Sequence, residues 1–258
     1  MEERARSTPS VPDGVRLYAV GDIHGRADLL DRIADRIAED AARHPSLRPL
    51  TIFLGDYIDR GPDSFAVIDR LASGDFPTPV LGLRGNHEEV LLKFVDDPGV
   101  LEAWRSFGGM ETLFSYGVDV RDVLKGQGYG EARAAFLACL PEAHRTFFSN
   151  LRASYEVGDY FFCHAGVRPR VPLGAQADED LLWIRSEFLE SPLYHGKVVV
   201  HGHTPRPEPE LRPNRINLDT GAYLTGRLTC LCLSGESRTI MSTSASARAE
   251  ESRRAPGA

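Results

Sequence analysis

Short apolar runs alternate with amphipathic stretches in the first third of the chain. Residues 15–20 and 50–54 are β-type apolar runs, and the segments that follow them, 28–41 and 63–73, carry apolar residues at helical spacing. A further apolar run covers 79–83. Strands that alternate with helices are typical of parallel strands joined by crossover helices. The pattern therefore predicts an α/β unit.

The middle of the chain changes to helical periodicity, and strands return after it. Apolar residues at helical spacing between glycine-containing breaks predict a helical insert over about 86–152. After the insert, residues 153–157 and 160–163 flank a Gly-Asp pair and predict a hairpin. The remaining expected elements are a helix at 179–190 and strands at 197–201, near 215–218 and at 227–233.

The two ends of the chain lack this patterning. Residues 1–14 are charged and contain no apolar h-region, which predicts a flexible N-terminus without a secretory signal. Residues 242–258 are rich in Ser, Ala, Arg and Glu, which predicts a disordered tail. We expect one domain over 15–241.

Charge and composition exclude several functional classes. Lys and Arg total 30 against 37 Asp and Glu, and this acidic balance disfavours a nucleic-acid polymer as partner. The chain has no run of about 18 apolar residues, so we expect no membrane partner and a cytoplasmic protein. The oligomeric state stays open. Four cysteines are interpreted as small, buried, reduced residues: Cys139, Cys163, Cys230 and Cys232.

Five apolar runs end in residues of the types that bind metals. The sequences that follow them are GDIHG at 21–25, GDYIDRG at 55–61, GNHE at 85–88, His164, and GH at 202–203. The carboxyl ends of strands in α/β sheets gather loops into one site, so we expect a shared site. Carboxylate, amide and imidazole donors without thiolate suit manganese, iron, zinc or cobalt. The candidate ligands are Asp22, His24, Asp56, Asn86, His164 and His203.

These motifs resemble the phosphoprotein phosphatase branch of the binuclear metallophosphoesterases, in order and spacing, from residue 16 to about 233. The resemblance implies an α/β fold of two packed mixed β-sheets flanked by helices, an αββα sandwich, with the helical insert added. It also implies two divalent metal ions, for which we expect manganese, with iron or zinc as alternatives. One metal would be held by Asp22, His24 and Asp56, and the other by Asp56, Asn86, His164 and His203.

The same resemblance implies roles for the residues around the metals. Arg60, Arg185 and Asn86 would bind the substrate phosphate, and His87, paired with Asp59, would be the general acid. A water shared by two divalent ions ionises near neutral pH, which would supply a hydroxide for in-line attack on phosphorus. The positive charge of such a site favours a dianion, as in a terminal phosphate monoester.

The resulting hypothesis is a metal-dependent phosphomonoesterase of the bacterial serine/threonine protein phosphatase type. The alternative is a diadenosine tetraphosphatase, because HAG at 164–166 and LDTGAYLTGRLTCL at 218–231 resemble that relative. By the same resemblance, Asp59 and Glu88 favour the protein phosphatase, because the nucleotide hydrolases tend to lack the acid before the Arg and to read GNHD. Members of the wider superfamily that cleave phosphodiesters often have the pattern G-H-x-H, in which the second His binds metal. Pro205 occupies that place here, so a diesterase is disfavoured. The expected partner is accordingly a phosphorylated protein or a small phosphorylated substrate.

Four further histidines are interpreted as structural. His201, two residues before His203, is expected to pack in its strand beneath the site. His44, His144 and His195 are expected at the surface.

Overall fold

The computed structural model describes residues 8–243 of the chain, and two β-sheets form its centre. The strands are β1 (Val15–Val20), β2 (Arg48–Phe53), β3 (Val80–Gly82), β4 (Ser154–Val157), β5 (Tyr160–Cys163), β6 (Val198–His201), β7 (Glu210–Leu211), β8 (Arg215–Asn217), β9 (Thr229–Ser234) and β10 (Ser237–Ser242). The α-helices are α1 (Ala27–Ala42), α2 (Ser64–Ala72), α3 (Asn86–Asp96), α4 (Leu101–Trp104), α5 (Gly109–Ser115), α6 (Arg121–Leu124), α7 (Tyr129–Cys139), α8 (Glu142–Ser149), α9 (Asp178–Trp183), α10 (Ser186–Leu189) and α11 (Ala222–Thr225). Among these described residues, no helix combines the length and the apolar character that crossing a bilayer requires.

Each sheet has five strands and mixes parallel with antiparallel neighbours. The first has the order β10-β9-β1-β2-β3, in which β1, β2 and β3 are parallel and β9 is antiparallel to both its neighbours. The second has the order β4-β5-β6-β8-β7, with β5, β6 and β8 parallel and both edge strands antiparallel. The prediction of two packed mixed sheets is confirmed.

The two faces of β1 show how the layers are held together. Leu17 and Ala19 point into an apolar cluster that lies between the sheets and also contains Phe162 and Val200 of the second sheet. The alternate residues of β1 belong to a second cluster, formed with α1, α2 and the helices between residues 86 and 149. This alternation is the side-chain period of a strand. A third cluster joins the far face of the second sheet to α9 and α10, so helices cover both outer faces.

Several local predictions differ from the structure. The helix expected at 179–190 is interrupted at Arg185, whose φ of −130° and ψ of −101° separate α9 from α10. The strands β7 and β10 were not predicted, because β7 has two residues and β10 has mostly polar residues. Within the segment 1–14, which was expected to be flexible, Val11 is buried and donates its backbone N–H to Gly235.

The predicted tail lies mostly outside the described residues, as do residues 1–7 of the N-terminal segment. At the start of that tail, Ser242 is the last residue of β10 and Thr243 is buried. All four cysteines are free, but Cys139, the last residue of α7, is exposed rather than buried.

The prediction for His144 is wrong, because its side chain is fully buried. Its Nδ1 lies 2.8 Å from the Tyr116 hydroxyl and its Nε2 lies 3.3 Å from Asp69 Oδ1, so both ring nitrogens have partners. Helical periodicity could not reveal this pairing, since the partners come from other segments. His44 and His195 are half-buried, whereas His201 is fully buried in β6 as expected.

We expect Phe162→Ala to lower the free energy of unfolding by about 3–5 kcal/mol, because it leaves a cavity between the two sheets. Phe114→Ala is the matched control: Phe114 is 71% exposed, and its loss should change stability by less than about 0.5 kcal/mol. Urea titration measures both. Equal destabilisation by the two substitutions would contradict this assignment of the core.

Candidate active site

The loops that follow parallel strands of both sheets meet at one end of the sandwich. The backbone N–H groups of Ile23 and His24 donate to the carbonyl of Asp56 at 3.0 and 2.9 Å, which ties the loop after β1 to the loop after β2. The N–H of Gly202 donates to the His164 carbonyl at 2.8 Å, which ties the loops of the second sheet. Of the six predicted ligands, Asp22 and His24 follow β1, Asp56 follows β2, Asn86 begins α3, His164 follows β5 and His203 follows β6.

Backbone strain is concentrated in these loops. Six described residues other than glycine have a φ in the left-handed region, and five of them belong to the predicted site. Such conformations cost free energy and persist only where the surrounding structure imposes them. The five are His24, Asp56, Asp59, Arg60 and His203, with φ values of 47°, 52°, 71°, 68° and 66°.

One group of donor atoms lies on the second-sheet side of Asp56. Oδ1 of Asp56 is 3.4 Å from His164 Nε2, and the Asn86 amide oxygen is 2.9 Å from both His164 Nε2 and His203 Nδ1. The two histidine nitrogens are 3.1 Å apart. Asp56, His164 and His203 meet the distance requirement for holding one metal ion, and all are buried. These four residues are the set that the resemblance implied for one metal.

The hydrogen-bond partners of His164 indicate that a cation fits this group. Its Nδ1 lies 2.9 Å from the carbonyl oxygen of Leu54, which can only accept, so the ring proton belongs on Nδ1. The lone pair of Nε2 therefore faces the Asn86 oxygen, another acceptor. Burial lowers the pKa of His164, and it lowers that of His203 to about 2, which favours the neutral form of both rings. Converging lone pairs of neutral imidazoles, an amide and a carboxylate are suited to a divalent cation.

A second group lies on the first-sheet side of Asp56. Oδ2 of Asp56 is 3.5 Å from His24 Nε2, while His24 Nδ1 lies 2.8 Å from the Ile58 carbonyl oxygen. Burial lowers the pKa of His24 to about 3, which leaves a neutral ring with its Nε2 lone pair towards Asp56. His24, Asp56 and His87 are close enough to hold an ion together. The carboxylate of Asp56 therefore presents one oxygen to each group, as a bridging ligand would.

Asp22 is held beside His203 by the main chain of the loop after β6. Its carboxylate accepts from the His203 N–H, at 3.0 Å to Oδ2, and Gly202 lies so close to it that a Cβ there would clash with Oδ1. Burial raises the pKa of Asp22, and the neighbouring carboxylates of Asp219 and Asp56 raise it further. Buried acids that repel one another in this way are stabilised by a cation.

His87 and Asp59 form the pair that the sequence suggested. Nδ1 of His87 is 2.6 Å from Asp59 Oδ2, and both side chains are buried. Burial lowers the pKa of His87, but the charges of Asp56 and Asp59 outweigh this effect and raise the pKa to about 9. Asp59 is itself held by two residues that sequence reasoning missed. Trp104 donates its Nε1–H at 2.7 Å, and Thr112 donates its hydroxyl at 2.6 Å.

The two predicted arginines lie on different sides of the site. Arg60 Nη2 is 3.1 Å from His87 Nε2, and the guanidinium stands 4.9 Å from the centre of the Tyr223 ring, another residue that the sequence did not single out. Arg185 is exposed, and its Nη1 is 3.3 Å from the His203 carbonyl and 3.2 Å from Thr204 Oγ1. Both guanidinium groups therefore stand beside the candidate ligands.

Glu88 has a structural position that the sequence did not reveal. Its fully buried carboxylate accepts from the backbone N–H groups of Gly85, Asp56 and Tyr57 at 2.8–3.0 Å. Burial and the charge of Asp56 raise its pKa, while these N–H groups oppose the increase. Glu88 thus fixes the backbone that carries Asp56 and the start of α3, and its carboxylate faces the main chain.

Two sequence relatives of the chain share a name. It is 28% identical over 232 residues to the asymmetrical bis(5'-nucleosyl)-tetraphosphatase PrpE of Anoxybacillus flavithermus, covering 82% of this chain and 88% of that protein. It is 25% identical over 232 residues to the PrpE of Halalkalibacterium halodurans, which bears the same name, with 82% and 87% coverage.

Solved structures share the fold. A candidate diadenosine tetraphosphatase superposes with a TM-score of 0.57 at 21% identity, covering 92% of this chain and 98% of that one. A serine/threonine phosphatase from Saccharomyces cerevisiae superposes with a TM-score of 0.51 at 14% identity, covering 92% and 84%. At these identities the likeness concerns the fold alone.

A family profile covers most of the chain. It describes the Calcineurin-like phosphoesterases, and it matches residues 15–229, which include every strand-end motif of the site. Together with two candidate metal groups that share Asp56, this match identifies the chain as a member of the calcineurin-like phosphoesterase family.

Proposed function

We propose that this protein hydrolyses bis(5'-nucleosyl) polyphosphates with the help of two divalent metal ions. The observation that carries the hydrolytic chemistry is the pair of donor groups on either side of Asp56. The substrate class is supported by the names of relatives that align over about four-fifths of the chain. The alternative hypothesis from the sequence, a diadenosine tetraphosphatase, thus has more support than the main hypothesis, a serine/threonine protein phosphatase.

Geometry and donor chemistry assign the first ion to Asp56, Asn86, His164 and His203. The resemblance assigns the second ion to Asp22, His24 and Asp56, whereas the donor atoms that lie close together on that side belong to His24, Asp56 and His87. When bound, such ions lower the pKa of a coordinated water to near neutrality and offset the charge of phosphate oxygens. Manganese is the metal we propose, because imidazole and carboxylate donors without thiolate suit it, and iron or zinc would suit the same donors.

The remaining site residues bind phosphate and handle the proton. Arg60 and Arg185 carry forked N–H donors that match phosphate oxygens, and they stand beside the two ligand groups, together with the Asn86 amide. Asp59 orients His87 through Nδ1, so Nε2 is the ring atom that can pass a proton to the departing oxygen. Catalysis by these residues consists of positioning the phosphate and protonating the leaving group.

The structure weakens one argument for the protein phosphatase. By resemblance Glu88 favours that activity, but its fully buried carboxylate binds three backbone N–H groups. Its role is to hold the loop after β2, which any substrate of this site requires. Its identity therefore carries little information about the substrate.

A serine/threonine phosphomonoesterase is the second candidate, because the His87–Asp59 pair favours it. A serine alkoxide is a strong base that must be protonated as it leaves, whereas a polyphosphate leaves with less help. The 2.6 Å contact between His87 and Asp59 supplies a well-oriented proton donor for the harder case.

Substrate preference tests the proposal directly. With manganese added, we expect kcat/KM for diadenosine tetraphosphate to exceed that for a phosphoserine peptide by more than about tenfold, which corresponds to about 1.4 kcal/mol of barrier. The measurement is initial-rate kinetics on the full chain. A tenfold preference for the peptide would instead favour the second candidate.

The role of His87 is tested by His87→Asn. We expect a loss in kcat of about 10²–10⁴-fold on substrates with basic leaving groups and a smaller loss on those with acidic ones, because only the former need the proton. Metal content by elemental analysis should match wild type, and His195→Asn, at a half-buried histidine, serves as the control. A uniform loss across all leaving groups would remove His87 from this role.

Metal binding is tested by thermal unfolding as well as activity. Chelation should abolish hydrolysis, and manganese should both restore it and raise Tm, because an ion bound only by the folded state stabilises that state. His203→Ala should reduce the manganese-dependent rise in Tm, whereas His195→Ala should keep it. The ligand assignment fails if His203→Ala shows the full rise.

A further inference from the structure

Trp183 presents an indole ring beside the proposed catalytic centre. It is 37% exposed, and its ring centroid lies 6.4 Å from that of His203, at an interplanar angle of 81°. Arg185, two residues later, contacts the His203 carbonyl and is also exposed. A large apolar side chain therefore stands next to a site that is otherwise polar.

The ring is held on a fixed support. Leu181 and Leu182 are buried, and the carbonyl of Leu181 accepts the N–H of Ala165 at 2.7 Å, directly after His164. Ile184, on the other side of Trp183, is only 8% exposed. A ligand that stacks on this ring would thus meet a surface that is already ordered, which reduces the entropic cost of binding.

Trp183 lines two cavities. A cavity of about 610 Å³ is lined by Trp183 with Glu89, Lys93, Asp178, Glu179 and Leu182. A second cavity, of about 350 Å³, lies on the side of Arg185, Ile184 and Ser186 and also includes Trp183 in its wall. These volumes are of the size that small-molecule groups occupy.

The charges around Trp183 restrict what can bind there. Asp178 and Glu179 line the larger cavity and are exposed, and Glu89 lines it as well. Arg84 pairs with Asp178 at 2.5 Å and with Glu89 at 3.4 Å, and Lys93 pairs with Glu89 at 3.3 Å. Three carboxylates thus face two cations, and the remaining negative charge disfavours phosphate groups, which are attracted to Arg60 and Arg185 instead. An uncharged aromatic ring with N–H donors can stack on the indole and donate to these carboxylates.

We propose that Trp183 is the platform for a purine base of the nucleotide substrate, with the attached phosphates at the ligand groups of Asp56. This inference rests on the proposed function and names the residue that would read the nucleoside. Adenine carries an exocyclic amino group that donates hydrogen bonds, so adenine suits the acidic cavity. Stacking of a base on an aromatic ring is favourable whichever base it is. The platform would therefore select substrates that carry a base over those that lack one.

Intrinsic fluorescence tests the platform without turnover. The chain has two tryptophans, and Trp104 is fully buried, so Trp183 is the one that solvent and ligands can reach. We expect AMP to quench the fluorescence of the manganese-loaded protein and ribose 5-phosphate to leave it nearly unchanged, after correction for absorption with free tryptophan. Trp183→Phe should abolish the AMP-dependent change. Equal quenching by the two ligands, or unaltered quenching in Trp183→Phe, would overturn the inference.

Steady-state kinetics gives a second, independent measurement. Trp183→Ala should raise KM for diadenosine tetraphosphate by about tenfold and change kcat by less than about twofold, whereas Trp183→Phe should retain a low KM. Phe114→Ala, which removes an exposed ring from α5, is the matched control and should leave both constants unchanged. An unchanged KM in Trp183→Ala would contradict the platform.

The two proposals fail in different ways. If the wild-type protein does not hydrolyse diadenosine tetraphosphate but AMP still quenches Trp183, the proposed function fails and the base platform stands. If hydrolysis is efficient but neither fluorescence nor KM depends on Trp183, the platform fails alone. A phosphoserine peptide with basic residues that quenches Trp183 where AMP does not would overturn the platform in favour of a cationic side chain.

Discussion

The buried carboxylate of Asp56 organises this molecule. Its two oxygens face opposite ways, one 3.5 Å from His24 and the other 3.4 Å from His164, and its carbonyl accepts the N–H groups of the loop after β1. A buried carboxylate surrounded by lone pairs is unfavourable on its own, and bound cations would offset this cost. The first sheet, the second sheet and α3 each contribute residues to this point.

The packing of the two sheets stabilises the strained backbone conformations of the site loops. Five site residues adopt left-handed backbone conformations, each of which costs about 1–3 kcal/mol. The cost is offset by an apolar cluster between the sheets and by hydrogen bonds such as those of Glu88 to the Asp56 loop. The strained loops of the site therefore depend on the packed core, because only a well-packed core holds loops in such conformations.

The helices between residues 86 and 149 have a role beyond covering the first sheet. Trp104 and Thr112 from this region hold the carboxylate of Asp59, and Asp59 in turn holds His87. Gly108, with a φ of 97°, lies so close to the Arg60 backbone that a Cβ would clash with it. The region thus positions His87 and Arg60 from outside the motifs that carry them.

The sequence by itself determined the strand ends, the order of the motifs and the donor types, because period-two and helical patterns and short motifs are local. The two mixed sheets followed from the resemblance, and the structure agrees with it. Only the tertiary structure decided that Asp56 lies between the two donor groups and that His144 is buried. It also showed that Arg185 interrupts a helix beside His203 and that Glu88 faces the main chain. These features depend on contacts between segments distant in the chain, and neither hydrophobic periodicity nor motif spacing contains information on which distant groups will meet.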